Sequence, residues 1–160
     1  MSGIYIHIPF CKSKCSYCDF YSVAHSSKKS NFIEALLREI EHKKLKLADN
    51  KIRTIYFGGG TPSQLNPKDV VLILDEIRKN YNINHLEEIT FEANPDDLTS
   101  GYLQALGRAG INRLSIGVQA FQDEHLKKMN RRHNAQQAVQ SIENASAAGG
   151  QRTHQQSRHR

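Results

Sequence analysis

From Gly3 to Ile8, Ile4, Ile6 and Ile8 alternate with Tyr5 and His7. A period of two predicts a strand, and Pro9, which has no N–H to donate, ends its ladder. Beyond a polar stretch from Ser22 to Ser30 the period lengthens. Ile33, Leu36, Leu37 and Ile40 recur at helical spacing, with Asn31 as the expected N-cap and Glu34 three residues on. Ile52 to Phe57 is a second β-rich run and empties into Gly58-Gly59-Gly60-Thr61-Pro62. Asn66-Pro67 opens a second helix, with proline at its first position and Val70, Val71, Leu74 and Ile77 expected on the inner face. Glu88 to Ala93 reads as a third strand, closed by Asn94-Pro95-Asp96-Asp97. Thr99 is placed to cap a third helix carrying Leu103 and Leu106, and Gly110 to stop it. Leu114 to Val118 is the fourth strand, followed by helical pieces over Asp123 to Met129 and Ala135 to about Ala148. Four alternations of strand and helix predict an α/β fold with a parallel sheet and right-handed crossovers.

The pattern stops at the end. Gln151 to Arg160 (Q-R-T-H-Q-Q-S-R-H-R) contains no apolar residue, and its composition predicts disorder. The domain is therefore expected over residues 1–150, with 151–160 reading as an artificial or out-of-frame tail on a truncated chain.

With 160 residues, 38% of them hydrophobic and 24% charged, the chain has the composition of one soluble globular domain. No apolar run approaches bilayer length and the N-terminus does not resemble a signal peptide, so the expected place is the cytoplasm. Three arginines of the terminal tail supply half of the net charge of +6. The remainder is spread over helices of mixed sign, which argues against a nucleic-acid partner.

The chemistry concentrates in one loop. Cys11, Cys15 and Cys18 are all the cysteines of the chain, spaced C-x3-C-x2-C just past the first strand. Open α/β sheets bind their ligands beyond the carboxyl ends of the strands. Three clustered thiols in a reducing compartment favour metal over disulfides. Three thiolates can hold three corners of a 4Fe–4S cube and leave one iron open. Zinc with His7 or His25 as fourth ligand is the alternative on spacing alone. The glycine run ends the next strand on the same edge and, lacking a following Gly-Lys-Ser/Thr, is no P-loop. Glu92 and Gln119 end the third and fourth strands there, where an acid and an amide can hold hydroxyls or a carboxylate. Arg131 and Arg132 are either partners for an anionic group or a solvated helix end.

Together these residues resemble the radical S-adenosylmethionine superfamily. C-x3-C-x2-C with Tyr17 before the last cysteine is similar to its cluster signature, and F-G-G-G-T-P to its methionine-binding motif. The nearest likeness is to the anaerobic coproporphyrinogen dehydrogenases and the related HemW-type haem chaperones. The resemblance implies a partial parallel (β/α) barrel, with about four βα units present of an expected six. It implies a 4Fe–4S cluster on Cys11, Cys15 and Cys18, with S-adenosylmethionine on the open iron. Tyr5 and Tyr17 would be aromatic contacts of that cofactor. Gly59, Gly60 and Thr61 would line its methionine end, and Glu92, Gln119 and Arg131 would hold the rest. Where the dehydrogenases carry a further cysteine this chain has Phe20, and it lacks their N-terminal extension. Both points favour a haem chaperone, carrying haem as cargo to haem-requiring respiratory proteins at the membrane periphery. Radical decarboxylation of coproporphyrinogen and a plain structural metal module are the competing expectations.

Overall fold

The computed structural model describes residues 2–23, 26–46, 51–148 and 152–155. Strand β1 (Ser2–Ile8), helix α1 (Lys29–His42), β2 (Ile52–Gly59), α2 (Pro67–Asn80), β3 (Glu88–Ala93), α3 (Ser100–Ala109) and β4 (Arg113–Ile116) alternate as the periodicity predicts. Helices α4 (Asp123–Lys128) and α5 (Ala135–Ala147) follow, and then a fifth strand, β5 (Arg152–Gln155). The strands lie in sequence order β1-β2-β3-β4-β5, every neighbouring pair parallel. Sequential order with crossovers of one hand puts the connecting helices on one face of the sheet, which is the wall of an incomplete barrel. Neighbouring helices pack α1 on α2, α2 on α3 and α3 on α5.

Alternation along each strand divides the side chains between two faces. Ile6, Ile8, Ile55, Phe57, Ile89, Phe91, Leu114 and Ile116 are buried in the core between sheet and helices. Phe57 meets Phe91 with ring centroids 5.4 Å apart. The opposite face is polar. It carries Tyr5 and His7, then Tyr56, Thr90 and Glu92, and finally Arg113 and Ser115, and near the amino ends Arg113 pairs with Glu88 at 3.2 Å. Register sets Ile8 beside Gly59 and Glu92 beside Ser115, so the carboxyl ends form one edge.

Local signals account for most boundaries. Asn66 precedes Pro67 at the start of α2, and its N–H donates to Asp69 Oδ2 at 3.3 Å. The Thr99 hydroxyl accepts from Tyr102 N, and Gly110 closes α3 at φ 105°. Four expectations are corrected. Helix α1 starts at Lys29 rather than after Asn31, because a 3-10 turn over Ser26–Lys28 runs straight into it without a side-chain cap. Val71 is 37% exposed while Ile73 is buried. The inner stripe is Val70, Ile73, Leu74 and Ile77, and Val71 sits one step of about 100° off it. Strand β4 ends at Ile116, because Val118 and Ala120 turn their N–H groups to carbonyls two residues back. Lastly, Arg152–Gln155 pairs with β4 where composition predicted disorder. Ladder hydrogen bonds belong to the main chain and need no apolar side chain, and β4 otherwise presents an open edge. The rest of the tail, residues 151 and 156–160, lies outside the described residues.

Candidate cofactor site at the carboxyl edge

The loop between β1 and α1 is pinched at its base. Val23 N donates to Pro9 O at 2.7 Å, and Cys11 N donates back to Val23 O at 3.2 Å. Within the loop, Cys18 N bonds to Cys15 O at 3.2 Å, a turn that brings the second and third cysteines near each other. Its outer side rests on the segment after α4. Ser16 Oγ donates to Lys128 O at 3.2 Å, and Asn130 Nδ2 to Lys14 O at 2.8 Å. The three cysteines are free and half-buried.

Next along the edge, β2 ends in the glycine run. Gly60 N donates to Ile8 O at 2.8 Å. A Cβ at Gly60 would stand 2.9 Å from both Ile8 O and Phe10 O, so only glycine lets the chain pass this close under the cysteine loop. Thr61, which follows, is buried with its Oγ1 3.3 Å from Cys11 Sγ. Strand β3 delivers Glu92, whose Oε1 accepts from the Tyr56 hydroxyl at 2.6 Å. Beyond β4, Gln119 adopts φ 67°, a left-handed conformation uncommon for a residue with a Cβ and often found at functional sites.

Arg131 crosses the cleft. Its Nη2 donates to Asn94 Oδ1 at 2.8 Å and to Gly117 O at 2.7 Å, and its Nη1 lies 3.3 Å from Cys15 Sγ. Its Nη1 is also 3.5 Å from the Tyr17 hydroxyl. Burial raises the Tyr17 phenol above its ordinary pKa, with the Arg131 charge opposing. Among the described residues, Ser115 Oγ is buried at this site without a partner at full hydrogen-bond geometry, and so are Arg131 Nε and Gln119 Oε1. Buried polar atoms are nearly always satisfied, so these atoms mark a place for a ligand.

Behind the cleft, the Asp97 carboxylate ties the loops together. It accepts from Lys12 of the cysteine loop at 3.0 Å, from Ser63 Oγ and Gln64 Nε2 each at 2.7 Å, and from Arg132 at 3.3 Å. Arg132 also pairs with Asp96 at 2.6 Å. Arg132, which also lines the cleft, is thus paired with carboxylates and is not part of a solvated helix end.

Twelve of the residues singled out from the sequence line one cleft: Cys11, Cys15, Cys18, Tyr17, Phe20, Gly59, Gly60, Thr61, Glu92, Gln119, Arg131 and Arg132. Tyr5 is not in its lining. It stands on the polar face, 56% exposed and stacked on Tyr56 with centroids 5.9 Å apart. Its phenol is raised by burial first and by the Glu92 charge second. Among the described residues, no three His, Cys, Asp or Glu side chains gather around a point suited to a single metal ion. His7, a candidate zinc ligand, has Nε2 3.3 Å from Tyr21 O and Nδ1 3.4 Å from the Tyr5 hydroxyl. His25 lies outside the described residues.

Asn94, Ser115, Tyr56 and Asp97 escaped sequence reasoning. Asn94-Pro95-Asp96-Asp97 carried a signal, but it read only as a strand stop. Tyr56 carried none beyond its place opposite the buried Ile55.

The donor set fits an iron–sulfur cluster with an adenosylmethionine ligand. Free thiols and a glycine run line one cleft with Gln119 and Arg131, whose Oε1 and Nε are unpaired among the described residues. The sequence matches the model of the Radical SAM superfamily over residues 5–155. It is 41% identical to the haem chaperone HemW of Buchnera aphidicola over 88% of this chain and 38% of the relative. It is 38% identical to HemW of Escherichia coli over 92% of this chain and 39% of the relative. The chain therefore spans well under half the length of these relatives. Coproporphyrinogen III oxidase (HemN) from Escherichia coli superposes with a TM-score of 0.87 at 30% identity, covering 96% of this chain and 36% of that one. A structure of anSMEcpe with bound AdoMet, 14% identical with a TM-score of 0.70, shares the fold. The chain belongs to the radical SAM superfamily.

Proposed function

We propose that this chain holds a 4Fe–4S cluster on Cys11, Cys15 and Cys18, with S-adenosylmethionine on the open iron, and that the protein it represents is a haem chaperone. The observation that carries the cofactor reading is the pair of orphaned buried atoms, Gln119 Oε1 and Arg131 Nε, in a cleft that also holds three free cysteines. When bound, the two groups supply one-electron cleavage of the sulfonium to methionine and a 5′-deoxyadenosyl radical.

The chain's own residues have distinct tasks. Thr61 Oγ1 offers a hydrogen bond to the Cys11 sulfur, which stabilises a thiolate. Arg131 does the same at Cys15 and brings positive charge to the cleft for a carboxylate. Gly59 and Gly60 line the cleft and leave room for a ligand's amino-acid end, and Glu92 accepts from hydroxyl or amino donors. Tyr17 closes one wall against water.

The chaperone reading is supported by the relatives named haem chaperones and by Phe20, which stands where the dehydrogenases place a further cysteine. Phe20 lines the cleft and is 49% exposed. On this reading haem is the cargo and haem-requiring respiratory proteins are the recipients, met from the cytoplasmic side. Among the described residues, no helix is long and apolar enough to cross a membrane. The likeness to HemN gives the second reading, oxidative decarboxylation of coproporphyrinogen. Two assays on the full chain separate them. Titration with haem is expected to give a saturable Soret shift, and anaerobic incubation with coproporphyrinogen, reductant and adenosylmethionine is expected to leave the porphyrinogen unchanged. Protoporphyrinogen formation would replace the chaperone reading with the second.

A further inference from the structure

Among the described residues, Glu92 is the one acid lining the cleft, and it does not stand alone. The Tyr56 hydroxyl donates to its Oε1 at 2.6 Å, a short charge-assisted bond. Tyr56 is itself held, its ring stacked on Tyr5 at 5.9 Å with the planes 24° apart. The next inward position on β2 is Gly58, where a Cβ would lie 2.8 Å from the Tyr56 ring and 3.0 Å from the Tyr5 ring. The first glycine of the run therefore makes room for this aromatic pair, whereas Gly59 and Gly60 serve the cleft. Tyr56 does not line the cleft, but Glu92 and its ladder neighbour Ser115 do. Ser115 Oγ is buried beside the Tyr56 hydroxyl, and among the described residues it has no partner at full hydrogen-bond geometry.

We infer that Tyr56 is a positioning residue for Glu92, and that the fixed carboxylate and Ser115 Oγ together receive a ligand hydroxyl. A glutamate at a strand end has several rotatable bonds to immobilise on binding. Tyr56 settles them in advance, taking one carboxylate oxygen and leaving acceptor capacity on the other. The order along the face is Tyr5 supporting Tyr56, Tyr56 fixing Glu92, and Glu92 meeting the ligand. The inference rests on the adenosylmethionine reading of the cleft.

The test uses the full chain, reconstituted anaerobically and reduced, with adenosylmethionine titrated against its cluster EPR signal in wild type, Y56F, E92Q and the double variant. Phenylalanine keeps the ring stack, so Y56F is expected to retain wild-type iron and sulfide content. Loss of a hydrogen bond to a charged group is expected to raise the half-saturating concentration about tenfold. Because Tyr56 acts through Glu92, and glutamine leaves only a neutral acceptor for its hydroxyl, Y56F is expected to cost less in the E92Q background than alone, an outcome that general loosening of the fold does not produce. Y56F titrating like wild type, or losses that add in the double variant, would overturn the assignment of Tyr56 alone. A wild-type cluster blind to adenosylmethionine would overturn the underlying reading and this inference with it. The contact is also read without a cluster: in selectively labelled tyrosine NMR of the cluster-free chain, E92Q is expected to shift the Tyr56 ring resonance, and an unmoved resonance would remove the bond.

Discussion

At the scale of single residues, the site depends on atoms that are missing as much as on those present. Gly60 has backbone carbonyl oxygens 2.9 Å from where a Cβ would sit, on two sides. Neither is the end of a flexible side chain, so relief requires moving β1 or the cysteine loop. G60A is expected to destabilise the cluster-free chain by about 1–3 kcal/mol in urea unfolding, and an unchanged midpoint would show that the loop gives way freely. His133 carries a different lesson. It is buried, its Nε2–H donates to Val118 O at 3.0 Å, and burial lowers its pKa. The unfolded chain then binds a proton that the folded chain refuses. Stability is expected to fall as pH drops below the ordinary histidine value of about 6.5, and not to change on this account above it. Comparing urea midpoints at neutral and mildly acid pH for wild type and H133N checks the sign, since the variant is expected to flatten the slope. The cysteine cluster was legible from spacing and the glycine run from its place at the end of a strand, whereas Thr61 was named only through the resemblance. Gln119 was named for its amide, but its left-handed backbone was not written in any local pattern. Asp97 and Tyr56 stayed hidden because their partners are more than thirty positions away along the chain.

At the scale of elements, the loops at the carboxyl edge are fastened to one another more than to their own strands. Asp97 accepts from the cysteine loop, from the turn after the glycine run and from Arg132, with its side chain 5% exposed. D97A leaves those donors without their shared acceptor, although Arg132 keeps Asp96 and Lys12 remains mostly solvated. The expected loss is about 2 kcal/mol of unfolding free energy, together with lower iron uptake on reconstitution. Loss of stability with full iron uptake would show that the cysteine loop places itself. Helix and strand identities followed from periodicity, because burial against one sheet face imposes it. Boundaries were less legible where the main chain decides. The 3-10 turn before α1, the early end of β4 and the pairing of Arg152–Gln155 all rest on backbone hydrogen bonds, which side-chain composition does not report.

At the scale of the whole molecule, five parallel strands lie in sequence order, and the first four present an apolar face to the helices and a polar face to the inside of an incomplete barrel. The cleft lies at its carboxyl edge, as parallel α/β architecture requires. This much was legible in advance, since alternating runs and their order determine both sheet and edge. The inner face was not, because alternation says only that Tyr56 or Ser115 points away from the core and not what it meets there. The central claim is that the cleft binds an open-iron cluster together with adenosylmethionine. Its most direct test is EPR of the anaerobically reconstituted and reduced full chain, recorded with and without adenosylmethionine. The expected result is a reduced 4Fe–4S signal whose shape changes on addition of the cofactor. A stable cluster with an identical spectrum in both samples would contradict the claim and leave Cys11, Cys15 and Cys18 an electron-transfer or structural role.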